Sequence, residues 1–123
     1  MVKPSDVTVT PVDEMILKKA IQIVEENMIE EDFDVNQFSK LMGMSSSSLL
    51  RKLKAIVGLT PLNFIQDMRL KRAASMLEQG GISVSDAAAS VGIYNMSYFS
   101  KVFRNKFGVA PSEYKSPVQK AAK

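Results

Sequence analysis

Four long cations recur at matched positions in this 123-residue chain: Arg51 with Lys101, and Lys54 with Arg104, each pair fifty residues apart. Within each set the two cations are three residues apart, which places them on one face of a helix. Around the first stand Ser46, Ser47 and Leu50; around the second, Met96, Ser97 and Ser100. An Arg or Lys projecting from mid-helix can reach O6 and N7 of guanine, while one a turn further on meets phosphates. The chemistry on offer is therefore recognition of a polyanion that carries readable base edges. With no His and no Cys, the chain lacks the commonest general base, thiolate ligands and any disulfide. Nor is there a Gly-rich phosphate loop, so no enzymatic activity, cofactor or metal is expected. A helical protein-interaction module remains the alternative, but it has no need of matched cations on two helices. RNA binding suits the charge yet lacks exposed aromatic platforms on which bases stack.

Charge distribution points the same way. The net charge is only +3, but residues 1–40 hold nine acids and four bases, whereas residues 41–123 hold twelve bases and four acids. The basic excess thus lies with the matched cations, as a polyanion partner requires. No apolar run is long enough to span a membrane, and Met1-Val2-Lys3-Pro4 does not open a secretory signal. The chain reads as a cytoplasmic segment without membrane contact.

The cations sit in a diverged duplication. Val35, Gly43 and Met44 return as Val84, Gly92 and Ile93 at an offset of 49. Leu49, Leu53, Gly58 and Pro61 return as Phe99, Phe103, Gly108 and Pro111 at 50, so the second copy has one extra residue just after its glycine. Asp34 with Gln37, and Ser83 with Asp86, have the spacing of caps on short helices that stop at Gly43 and Gly92. Ser45 and Asn95 then cap second helices over about 46–57 and 96–107. Leu49 and Leu53, like Phe99 and Phe103, fall four residues apart and face a core. The outward positions are then Ser46, Ser47, Leu50, Arg51 and Lys54 in one copy and Met96, Ser97, Ser100, Lys101 and Arg104 in the other. Leu50 has two readings, contact with a thymine methyl or partial burial against a neighbouring helix.

The fold class expected is all-α, with about seven helices. Residues 1–12 read as a linker or arm, with Asp13 capping an amphipathic helix that reaches about Met28; the first helix-turn-helix subdomain spans 13–59. A connecting helix over 60–79 opens at Pro61 and stops before Gly80-Gly81. Its run from Leu62 to about Gln79, at 1.5 Å per residue, is about 27 Å long, a little under the ~34 Å between successive major grooves on one face of B-DNA. Arg69, Lys71 and Arg72 on it read mainly as a solvated basic face. The second subdomain spans 80–115, and 116–123 is a tail.

The run from Gly92-Ile93 through Ser97-Tyr98-Phe99-Ser100-Lys101-Val102-Phe103-Arg104 to Phe107-Gly108-Val109-Ala110-Pro111-Ser112-Glu113-Tyr114 closely resembles the signature of the AraC/XylS family of bacterial transcription regulators. Arg69-Leu70-Lys71-Arg72-Ala73-Ala74 resembles that family's connecting helix, and the likeness covers about residues 14–115. It implies two helix-turn-helix units entering adjacent major grooves of double-stranded DNA. By that likeness Ser47, Leu50, Arg51, Ser97, Tyr98 and Lys101 lie near bases; Ser46 is expected with them from its outward position, and Ser45, Lys54, Asn95, Ser100 and Arg104 are expected near the DNA backbone from theirs. The four serines of the first unit stand where bulkier polar or basic residues are frequent, so weaker readout is expected there. Pro4 to Thr10, Asp13-Glu14 and Arg51-Lys52-Leu53-Lys54-Ala55 also resemble the C-terminal output region of Bacteroides-type hybrid two-component sensors. That implies sensor or receiver domains elsewhere in a longer chain. RNA polymerase is a further candidate partner, and the isolated domain is expected to be monomeric.

Overall fold

A computed structural model describes residues 10–114; the expected arm before Thr10 and the tail over 116–123 lie outside the described residues. Among those described there are six α-helices, a short 3-10 helix at Pro111–Glu113 and no strand. The helices are α1 (Pro11–Asn27), α2 (Val35–Met42), α3 (Ser46–Val57), α4 (Pro61–Gln79), α5 (Val84–Ser90) and α6 (Met96–Phe107). The expected seven are thus six plus the 3-10 turn. The described residues form two compact units, one from 10–27 and 33–65, the other from 28–32 and 66–114.

One correction falls at the first helix. Thr10, not Asp13, is its cap, with the Thr10 Oγ1 accepting the Asp13 N–H at 3.0 Å. Pro11 then occupies the first turn, where its missing N–H costs nothing. Proline and β-branched residues read as linker in sequence; here they are a helix start.

In the first unit α1 packs on α2 and α3. Ala20, Ile23 and Val24 from α1, Phe38 and Met42 from α2, and Leu49 and Leu53 from α3 are buried, joined by Phe64 and Ile65 from the start of α4. The Phe38 ring lies between Phe33 and Phe64, with centroids 6.0 and 5.9 Å away. Ser39 is the buried polar residue among those described, and its hydroxyl donates to the Val35 carbonyl at 2.7 Å, so it is not left unpaired.

In the second unit Met28, Leu70, Ala73, Ala74, Leu77, Ala87, Ala88, Val91, Ile93, Phe99 and Phe103 form the core. Phe103 touches Phe99, Phe107 and Tyr114 at centroid distances of 5.5, 4.6 and 5.3 Å. Gly92 has φ +83°, and a Cβ there would lie 2.2 Å from the Met28 carbonyl oxygen and 3.2 Å from that of Ile29. Glycine is required twice over, for its backbone conformation and for this close approach. Arg69 fastens the same segment by donating through Nη2 to the Glu30 carbonyl at 2.7 Å. The expected solvated basic face on α4 is therefore incomplete: Arg69 is half-buried and committed inward, and Lys71 pairs with Asp67 at 3.2 Å.

Candidate nucleic-acid interface

Both helix-turn-helix copies are closed by the same local bonds. Asp34 Oδ1 accepts the Gln37 N–H at 2.9 Å, and Ser83 Oγ accepts that of Asp86 at 3.0 Å. At the turns, Met44 N–H donates to the Ser39 carbonyl and Ile93 N–H to that of Ala88, which brings the chain round past a left-handed glycine in each case. The extra residue of the second copy is Tyr94, exposed between Ile93 and the next cap. Ser45 Oγ accepts the Ser48 N–H at 3.1 Å and Asn95 Oδ1 that of Tyr98 at 2.9 Å, so α3 and α6 begin where cap and period predict.

Burial fixes which way these helices face. Leu49, Leu53, Phe99 and Phe103 are fully buried. All twelve residues expected at DNA are exposed: Ser45, Ser46, Ser47, Leu50, Arg51 and Lys54 in the first unit, and Asn95, Ser97, Tyr98, Ser100, Lys101 and Arg104 in the second. Each unit gathers its own set on one side of its helix. The side chains of Lys54, Lys101 and Arg104 form no hydrogen bond or ion pair among the described residues. Unpaired cations on a helix face are available to phosphates and base edges.

Several of these side chains are pre-positioned. Ser45 caps the helix and donates to the Ser48 hydroxyl at 3.1 Å, while Ser48 accepts from Arg51 Nη2 at 3.3 Å. The serine run thus steers Arg51 back along α3. Ser46 lies 3.3 Å from the buried Ser39 hydroxyl, which draws its polar group away from solvent. In the second unit Tyr98 donates its hydroxyl to Gln66, and Lys106 bonds Asp67. Burial raises the pKa of the Asp67 carboxyl, but hydrogen bonds and charge from Lys106 and Lys71 outweigh it and hold the group below its ordinary value. Gln66 and Asp67 escaped the sequence reading because they are separated by more than thirty residues from Tyr98 and Lys106, and no local spacing signals such a pair.

A family model described as a helix-turn-helix domain matches residues 38–116. The chain belongs to this family, the AraC/XylS-type DNA-binding domains, which are not enzymes. Over 115 residues it is 46% identical to histidine kinase P4 of Formosa agariphila, covering 94% of this chain and 8% of that protein. It is 31% identical to the HTH-type transcriptional regulator MtrA of Neisseria gonorrhoeae, covering 70% of this chain and 29% of that one. Thus the chain spans less than a third of these curated relatives. The crystal structure of a transcriptional regulator with an AraC-type DNA-binding domain from Chromobacterium violaceum superposes with TM-score 0.76 at 26% identity, covering 85% of this chain and 93% of that one. The C-terminal domain of AraT, a response regulator from Geobacillus stearothermophilus, shares the fold with TM-score 0.73 at 24% identity, covering 85% and 84%.

Proposed function

We propose that this chain is the DNA-reading output segment of a longer, signal-responsive transcription regulator in the cytoplasm, and that α3 and α6 enter adjacent major grooves of one asymmetric site. The observation that carries the reading is the matched pair of cation sets, Arg51 and Lys54 on α3 and Lys101 and Arg104 on α6, exposed on capped helices whose other faces are buried. Arg51 and Lys101 read base edges; Lys54 and Arg104 hold phosphates. Strong similarity to 8% of a protein named as a histidine kinase supports an output segment that receives its signal from sensor or receiver domains in the same chain. RNA polymerase is the partner through which a bound regulator of this kind acts.

Salt titration of duplex binding in a mobility-shift assay tests the reading. Each neutralised phosphate releases counterions, so the logarithm of the binding constant falls linearly with the logarithm of salt, by a slope of about 0.9 per phosphate. Several contacts are expected, and affinity independent of salt contradicts the proposal.

A further inference from the structure

Beside α3 lies an open groove of about 300 Å³ in the first unit, with walls made by Val35, Leu50, Pro61 and Leu62. Leu50 is 42% exposed and Leu62 63% exposed, and in the groove the two share one apolar surface with Val35 and Pro61. The three hydroxyl residues of the groove do little to make it polar. Ser46 lies 3.3 Å from the buried Ser39 hydroxyl, and Thr60 Oγ1 accepts the Asn63 N–H at 3.1 Å. That leaves Ser47 as the one hydroxyl of the wall with no bond among the described residues. The corresponding position to Leu50 on α6 is Ser100, so the apolar character belongs to the first helix alone.

We infer that this groove recognises the C5-methyl group of thymine, with Leu50 as the specificity-determining residue and Leu62 as the opposite wall. The inference rests on the DNA-reading role proposed above and gives it a base identity. In the major groove the donor and acceptor patterns of the base pairs are polar, and the apolar group offered there is the thymine methyl. The groove opens on the same helix that presents Arg51 and Lys54, so the surface around it favours a polyanion over an apolar peptide. With Ser46 and Thr60 bonded within the protein, the Leu50 side of α3 reads through burial of a methyl, while Arg51 reads base edges through hydrogen bonds.

The test starts from a site selected out of random duplexes, with the half read by α3 identified as the half whose preferences relax in Arg51→Ala. Each thymine in that half is replaced by deoxyuridine, which removes the methyl and keeps the pairing edge. Burial of one methyl corresponds to about a fourfold change in affinity. One or two positions should show that loss with the unaltered protein, and Leu50→Ser, whose new side chain copies Ser100, should bind thymine and deoxyuridine sites alike. Leu62→Ser should reduce the discrimination as well, and circular dichroism should show both variants folded, because both positions are exposed. Equal affinity of the unaltered protein for thymine and deoxyuridine throughout that half, on a site that is still sequence-specific, would overturn the inference and leave the DNA-reading role standing. Discrimination that persists in both variants would also overturn it. Failure to recover any preferred site would bring down the DNA-reading role itself.

Discussion

Side chains with the same charge on the same helix face are expected to do different work here. Arg51 is steered by Ser48 and Lys101 lies mid-helix, so Arg51→Ala or Lys101→Ala should cost about 1–3 kcal/mol on a cognate site and relax base preference locally. Lys54→Ala and Arg104→Ala should weaken cognate and unrelated duplexes by similar factors. Competition binding against single-base variants separates the two, and identical preference profiles for all four variants would refute the division. Glycines differ in the same way. Gly43 and Gly92 are equivalent turn residues with positive φ, yet a Cβ at Gly43 meets nothing within 4 Å, whereas at Gly92 it strikes the Met28 carbonyl at 2.2 Å. Gly43→Ala should therefore cost about 1–2 kcal/mol, the backbone penalty alone. Gly92→Ala should cost more, about 3 kcal/mol or above, because the carbonyl belongs to backbone that must shift. Chemical denaturation of the two variants measures the difference.

At the scale of elements, local signals were legible and distant pairings were not. The limits of α3 and α6 follow from a polar cap, a core residue every fourth position and a closing glycine, all within one stretch of chain. The start of α1 was misplaced because Pro11 carries two meanings, a linker residue or the first turn of a helix, and only the Thr10 cap decides between them. Arg69 looked like part of a solvated face; its bond to Glu30 joins residues thirty-nine apart, and sequence spacing carries no trace of it. All twelve expected interface residues lie exposed, yet the bonds that orient Tyr98 and Arg51 came only with the fold. One such tertiary pairing has a pH consequence. Asp67 is held below its ordinary pKa chiefly by Lys106 and Lys71 against the effect of burial, so its stabilising contribution is present above the unfolded carboxylate range, about pH 4, and is lost as pH falls through its lower folded value. Asp67→Asn should lower stability at pH 7 by up to about 1 kcal/mol and have little effect at pH 2. Equal destabilisation at both pH values would show that the ion pairs are not the cause.

As a whole molecule, the chain is expected to carry two unlike readers. The recognition helices share cations at matched positions but differ around them, with Leu50 opposite Ser100 and a serine run opposite Asn95-Met96-Ser97-Tyr98. A two-fold dimer reads a palindrome; two different helices in one chain read two different half-sites. Selection of bound sequences from random duplex DNA tests this most directly. The expected result is a single asymmetric motif spanning about two turns of DNA, with the half that relaxes in Lys101→Ala more sharply defined than the half that relaxes in Arg51→Ala. Enrichment of a palindrome, of a single half-site, or of no sequence at all would contradict it.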